Sequence, residues 1–509
     1  IQRDPRWGRN SNSPSEDALL TGLYGKFLVT GTQSQTKGVN LINSQMKHWT
    51  AYGVESGRMG FNGNVSVHDM AETYMVPLQI MLEANVSSAM CAYDAINGTP
   101  SCANGWMSNT VLRKEWGFSG VIESDCGALS HIQDQHKYTT DGPHTAAASM
   151  NGTCDVECDS VYSKSLLAAS TAGLVSTTQL AAAARRILAH RFSLGLFDDP
   201  RGTEYWQGKY NSSMTVHSAE HAAIAREAAQ QSVVVAQNNG AVLPLKATTS
   251  SFALIGPMSN ITDPFLGDYR PAACPGPAEP APEGTACLPT LHELLVKRAP
   301  QAKVAMVDSC ADGPKCDKGS PVTSAVTAAM QAAEVIVLAL GEKTTDNDHD
   351  GHNTGGEGND RHSVGLPGSQ ALLVEAALAT KKPVVALILS GGSVSVDALA
   401  GAQSTAVVYA GFGGETGQNA IVDVLFGDAH ASGRLPFTVY PESWGNATEM
   451  KDMSFQSGQG RSYKYLLPSV KPLFEFASGL SWTNFSLAAA DAAEPLTLGP
   501  SPVPACVSV

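Results

Sequence analysis

Gly117-Phe118-Ser119-Gly120-Val121-Ile122-Glu123-Ser124-Asp125-Cys126 decides how the first part of this chain is read. It is a short apolar strand that leaves a glycine-containing turn and ends in a carboxylate, between a helical pattern at residues 112–116 and a new one from Ala128. A strand flanked by helices and closed by an acidic residue is the repeating unit of a (β/α)8-type barrel, where the reacting groups gather at the C-terminal strand ends. Two similar units precede it. The run from Leu41 ends in Lys47-His48, and the run from Val86 passes Met90 to end in Tyr93. A lone aspartate after a strand is ordinarily a helix N-cap, and a Lys-His pair is ordinarily surface decoration. Cation, imidazole, phenol and carboxylate at three consecutive strand ends describe a polar pocket instead, provided that the strands are parallel.

The motifs beyond these strand ends resemble glycoside hydrolase family 3. They are Arg3-Asp4-Pro5-Arg6-Trp7-Gly8-Arg9, Lys47-His48-Trp49, Met90-Cys91-Ala92-Tyr93 with Asn97-Gly98, and the stretch ending in Asp125-Cys126. Further matches are Arg191 to Asp198, Ala225-Arg226-Glu227, Leu243-Pro244-Leu245, Asp423 to Asp428, Ser432 to Pro436 and Gly460 to Tyr465, so the resemblance covers nearly the whole chain. Asp-Cys after the strand and the Met-Cys-Ala-Tyr form are similar to the β-xylosidase and α-L-arabinofuranosidase branch, with a β-glucosidase as the alternative.

The resemblance implies an exo-acting, retaining β-glycosidase acting on terminal sugars of plant-type oligosaccharides. Retention needs one carboxylate to attack the anomeric carbon and a second carboxyl to protonate the leaving oxygen. Asp125 matches the nucleophile position, and Arg3, Lys47, His48, Met90 and Tyr93 match positions that hold the innermost sugar. The acid/base is expected on a loop of the second domain, commonly Glu-x-Glu-x-x-Asp-Arg. Here Gly355-Gly356-Glu357-Gly358-Asn359-Asp360-Arg361 stands there, so Gly355 replaces the first glutamate and Glu357 becomes the candidate. Asn12 likewise stands where a glutamate is usual. These departures leave a catalytically impaired sugar-binding or structural homologue as the second reading.

The same loop carries a rival pattern. Asp346, Asp348 and Asp350, then Gly351 and Glu357 in the twelfth place, satisfy a calcium-loop spacing. The alternative is a solvated acidic insertion. Metal binding and proton donation by Glu357 exclude each other; the hydrolysis itself requires no cofactor.

The 509 residues, 43% apolar, suffice for two or three domains with substantial cores. A net charge of −14 argues against nucleic acid and anionic membrane as partners, because phosphate recognition needs clustered Lys and Arg. No apolar run reaches membrane length. Eight Asn-x-Ser/Thr sequons, at Asn64, Asn85, Asn97, Asn151, Asn211, Asn260, Asn446 and Asn484, suggest a secretory route to the extracellular space or to a vacuolar or lysosomal lumen. Ten cysteines fit it, with the close pairs Cys91/Cys102, Cys154/Cys158, Cys274/Cys287 and Cys310/Cys316. Disulfides outrank zinc here, since no paired CxxC spacing occurs.

The expected organisation is a barrel domain over 1–197, a linker over 198–216, an α/β sandwich domain over 217–485 and an Ala/Pro-rich tail over 486–509. A complete barrel takes about 250 residues and only about 195 precede the linker, so a missing segment or a separate chain is expected to complete it. Ser176 and Gln179 form a capping box for the last helix of the first domain, which Gly195 stops. In the second domain, apolar runs at 252–256, 304–307, 335–340, 384–389 and 406–410 alternate with helical segments, the pattern of a parallel sheet covered on both faces. Gly256 and Gly391-Gly392 follow strands without any phosphate-loop spacing, which disfavours a nucleotide site.

Overall fold

The computed structural model describes residues 1–203, 206–208, 218–262, 266–267, 269, 288–343 and 354–483. The first part is built on three strands, β1 (Gln45–Trp49), β2 (Ser88–Cys91) and β3 (Val121–Ser124), hydrogen-bonded side by side and parallel. Strand β1 is shorter than the apolar run from Leu41 suggested. Leu41 and Ile42 are 41% and 59% exposed and precede the ladder, which begins where Gln45 pairs with Ser88. A further parallel bridge joins Glu123 to Val156, continuing the direction of the sheet.

The helices of this part include α1 (Ala18–Thr32), α2 (Val76–Leu82), α3 (Ala128–Asp134) and α4 (Thr177–Ser193). Helix α4 starts on the expected capping box: Ser176 Oγ accepts from the Gln179 N–H, and the Gln179 side chain accepts from the Ser176 N–H. It stops at Gly195, whose positive φ of 65° suits glycine and lets the Leu196 N–H turn back to the Arg191 carbonyl.

The second part holds β4 (Val234–Asn238), β5 (Ser251–Ile255), β6 (Lys303–Val307), β7 (Val335–Gly341), β8 (Val384–Leu389) and β9 (Thr405–Tyr409) in the order β6-β5-β7-β8-β9-β4. All neighbours are parallel except β4, which runs antiparallel to β9 at the edge. The continuous apolar runs have a direct cause: alternate residues enter different cores. Phe252, Leu254, Val337 and Leu387 face one, under α5 (Leu291–Arg298) and α8 (Gly417–Leu425). Ala253, Ile255, Leu338 and Ile388 face the other, under α6 (Ser324–Ala332) and α7 (Gln370–Ala379). Gly256, at φ 124°, lies so close to β7 that a Cβ would sit 2.2 Å from the Ala339 carbonyl oxygen. Its role is close packing of strands, not phosphate binding.

Residues 2–16 bind the two parts together. Asp4, fully buried, pairs with Arg6 at 2.8 Å, and Arg6 also donates to the carbonyls of Gly445 and Thr448. Glu16 accepts from the Thr438 N–H at 2.9 Å and the Tyr463 N–H at 2.9 Å. The Gly391-Gly392 turn supports this docking, since Cβ atoms there would meet Ser11 at 2.6 Å and Asn10 at 2.9 Å.

The cysteine spacing left the connectivity open, and the structure gives three bonds among the described residues. Cys91–Cys102 and Cys310–Cys316 are bonded, but Cys158 joins Cys126 and leaves Cys154 a buried thiol. The parallel bridge from Glu123 to Val156 brings the 154–158 segment beside β3, so proximity in space overrides proximity in sequence. Cys274 and Cys287 lie outside the described residues, as do most of the expected linker and the tail. Among the described residues no helix is long and apolar enough to cross a membrane.

Candidate active site

Asp125 is the first residue past β3, and its N–H donates to the Cys91 carbonyl of β2 at 3.1 Å, extending the ladder by one bond. That bond fixes the backbone from which its carboxylate projects. The carboxylate accepts from the Cys126 N–H at 2.8 Å and stands 3.2 Å from Nε2 of His48, at the end of β1. A carboxylate only accepts, so Nε2 carries the hydrogen. Burial works to raise the proton affinity of Asp125, but His48 and the Cys126 N–H outweigh it and hold the group below the usual carboxylate range. Burial lowers His48 against the pull of Asp125. The pair is therefore a carboxylate beside a neutral imidazole.

Tyr93 is buried at 7% exposure, donates to the Cys126 carbonyl at 2.8 Å, and has the Arg58 guanidinium 4.9 Å from its ring centroid. Lys47, Met90 and Glu123 occupy one register across β1, β2 and β3, which puts their side chains on one face of the sheet. The Lys47 ammonium lies 4.6 Å from the ring centroid of Tyr269. Burial and Arg9 lower its proton affinity, while Asp125 and Glu357 pull it back up.

Glu357 reaches this cluster from the second part of the chain. Its Oε1 accepts from Arg58 Nη1 at 3.0 Å and lies 3.8 Å from Arg9 Nη1, and its Oε2 accepts from the Tyr269 hydroxyl. Burial would raise it, but Tyr269, Arg9 and Arg58 keep it below the usual carboxylate range. Arg58 meets Glu357 at 3.0 Å while standing 4.9 Å from the Tyr93 ring centroid, so this guanidinium links the carboxylate to the strand ends that carry Asp125. The calcium reading needs Glu357 as a ligand, and the guanidiniums beside this carboxylate repel a divalent cation. Asp346, Asp348 and Asp350 lie outside the described residues.

Arg3 is the residue that the structure moves out of the cleft. It is 1% exposed, and its guanidinium is committed to the carbonyls of Asp452 at 2.9 Å, Gly53 at 3.1 Å and Met450 at 2.7 Å. The arginine of the cleft is Arg9, at the other end of the same motif, which donates to Glu55 at 2.8 Å, Tyr52 at 2.9 Å and Tyr269 at 3.0 Å. The motif holds three arginines, and only the path of the backbone tells them apart.

Glu55 is the hub that sequence reasoning missed. It accepts from Trp7 Nε1 at 2.9 Å, Arg9 Nε at 2.8 Å, Arg58 Nη1 at 3.0 Å and the Gly358 N–H at 3.0 Å. It is a buried carboxylate at the centre of this cluster, 1% exposed. Asp360 completes the loop's seat by accepting from the N–H groups of Gly8 at 3.0 Å, Glu55 at 2.8 Å and Ser56 at 2.8 Å. Burial pushes its carboxyl up to about 6, against these three donors.

The family model of the glycosyl hydrolase family 3 N-terminal domain matches residues 1–190, and that of the C-terminal domain matches 233–482. A probable β-D-xylosidase 7 of Arabidopsis thaliana is 34% identical over 96% of this chain and 62% of its own length. An exo-1,4-β-xylosidase, bxlB, of Emericella nidulans is 32% identical over 95% of this chain and 61% of its own length. Among solved structures, a GH3 exo-β-xylosidase (XlnD), held with a xylobiose aziridine probe, superposes with a TM-score of 0.79 at 28% identity, covering 95% of this chain and 60% of that one. A β-glucosidase from Listeria innocua gives a TM-score of 0.77 at 26% identity, covering 96% of this chain and 64% of that one. The chain thus spans about six-tenths of the length of these relatives.

Proposed function

This chain belongs to glycosyl hydrolase family 3, and we propose that it carries the catalytic machinery of an exo-acting, retaining β-glycosidase of the β-xylosidase type. The observation that carries the reading is Asp125, an ionised carboxylate at the C-terminal end of a parallel strand, braced by His48 and the Cys126 N–H, with Glu357 tied to the same cluster through Arg58. Asp125 attacks the anomeric carbon and forms a covalent glycosyl ester. Glu357 protonates the departing oxygen and then takes a proton from the water that hydrolyses the ester. Lys47, His48 and Tyr93, with Arg9, hold the hydroxyls of the innermost sugar, and Met90 supports it from the strand face. The cations Arg9, Arg58 and Lys47 stand against Glu55, Glu357 and Asp125, a balanced set that suits a neutral sugar. The reaction needs no cofactor.

The barrel reading belongs with this proposal. Helix α1 leaves Leu19, Leu23, Tyr24, Phe27 and Leu28 between 37% and 70% exposed, a face suited to cover by further β/α units. Those units come from the same chain or from a separate one. A secretory route fits the three disulfides and the six sequon asparagines among the described residues, all of them exposed.

One observation favours a second reading, a sugar-binding homologue impaired in turnover. Gly355 stands where the family has its acid, and Glu357 is held as an anion by two arginines. The experiment is to incubate the protein, with its barrel complete, with nitrophenyl β-xyloside, β-glucoside and α-arabinofuranoside beside Asp125→Ala and Glu357→Ala. Loss of turnover in Asp125→Ala and azide rescue of Glu357→Ala are expected. Sugar binding without hydrolysis of any of the three by the unmutated protein would leave the impaired homologue.

A further inference from the structure

Tyr269 reaches the cleft from the second part of the chain with 61% of its surface exposed. An exposed tyrosine ordinarily turns its hydroxyl to water, but this one is held from three sides. Arg9 Nη1 donates to the phenolic oxygen at 3.0 Å, the phenol donates to Oε2 of Glu357, and the Lys47 ammonium stands 4.6 Å from the ring centroid. Arg9 is itself locked by Glu55 at 2.8 Å and Tyr52 at 2.9 Å, so the phenol hangs on a rigid support.

The two oxygens of Glu357 are held differently. Oε1 faces Arg58 at 3.0 Å and Arg9 at 3.8 Å, both anchored in the first part of the chain. Among the described residues, Oε2 is held by Tyr269 alone. Among the described residues, Lys47 and Glu55 are further charged groups near this carboxylate, the latter linked through the Gly358 N–H.

We propose that Tyr269 is a positioning residue of the site, aiming Oε2 of Glu357 into the Asp125 cleft and offering the exposed part of its ring to the sugar on the leaving-group side. The inference rests on the roles given to Asp125 and Glu357 above. Two consequences separate the hydroxyl from the ring. The phenol hydrogen bond favours the charged form of Glu357, so its removal raises the proton affinity of the group. The ring offers an apolar face to the C–H groups of a sugar, and its removal weakens only ligands long enough to reach it.

Tyr269→Phe keeps the ring and loses the hydroxyl; Tyr269→Ala loses both. In kcat/KM profiles on xylobiose, Tyr269→Phe moves the alkaline limb up by about one pH unit, since a hydrogen bond to a charged group is worth roughly that much. Calorimetry in the Asp125→Ala background reads binding without turnover. There Tyr269→Ala weakens xylobiose by about tenfold while xylose changes little, and Tyr269→Phe leaves both within about twofold. An unchanged alkaline limb in Tyr269→Phe overturns the positioning role. Equal losses for xylose and xylobiose in Tyr269→Ala overturn the contact with the leaving sugar. Absence of turnover in the unmutated protein sinks the function proposed above, whereas the xylobiose-to-xylose affinity ratio still decides whether Tyr269 meets a second sugar.

Discussion

Asp94 lies one residue beyond Tyr93, 1% exposed, and among the described residues neither of its carboxyl oxygens has a hydrogen-bond partner. Burial raises its proton affinity well above the usual carboxylate value, and the charge of Glu55 adds to the effect. A group raised in the folded state stabilises fully below its unfolded value and loses that contribution as pH climbs through the folded one. Asp94→Asn, of nearly the same shape, lacks this loss. Its melting temperature should exceed that of the unmutated protein at pH 8 by more than at pH 4, by about 2–4 °C for each kcal/mol recovered. A difference that does not vary with pH would mean that Asp94 is not held neutral. The residue scale is also where the motif reading met its limit. Asp125, His48, Lys47 and Tyr93 were legible because each ends a strand or lies just beyond one. Arg9, Glu55, Arg58 and Tyr269 were not, because they lie in loops that only tertiary contacts bring together.

Among the elements, β3 with its following turn carries the most consequence. The Cys126–Cys158 disulfide ties the residue after Asp125 to a segment 32 positions on. In the chain-entropy account, closing a loop of that length stabilises the fold by about 3–4 kcal/mol. Cys126→Ser with Cys158→Ser should therefore lower the denaturation midpoint accordingly and slow turnover through a less fixed Asp125. A midpoint within experimental error of the unmutated protein would show that the turn is held by its hydrogen bonds alone. The capping box of α4 was readable because it needs only residues three apart, whereas the Cys126–Cys158 pairing depends on the parallel bridge from β3 to Val156. Strand β4 escaped notice for a similar reason: Val233-Val234-Val235 is a short run broken by Gln237, and its pairing to β9 is antiparallel.

At the scale of the molecule, the two parts are joined by buried charge. Asp4 is neutralised by Arg6 at 2.8 Å and approached by Arg461 at 3.6 Å, all three fully or largely buried. Removing one partner leaves a buried charge short of compensation, at a cost of about 3–5 kcal/mol. Arg6→Ala should thus lower the melting temperature sharply and, by loosening the seat of the 354–361 loop, depress turnover more than it changes the fold. Circular dichroism with thermal melts and kcat measures both. Unchanged melting would place the strength of the interface in the backbone hydrogen bonds of residues 2–16 instead.

The order of residues alone determined the alternation of strands and helices, the doubly covered parallel sheet, and the placing of an aspartate, an imidazole, an ammonium and a phenol at strand ends. Those are consequences of short-range periodicity and of backbone direction, which a linear pattern carries. Tertiary structure decided which arginine enters the cleft, that Glu55 gathers Trp7, Arg9 and Arg58 around one buried carboxylate, and that Glu357 meets Tyr269 and two guanidiniums. These contacts join segments as far apart as Glu55 and Gly358, and no local propensity encodes which distant groups a folded chain will press together.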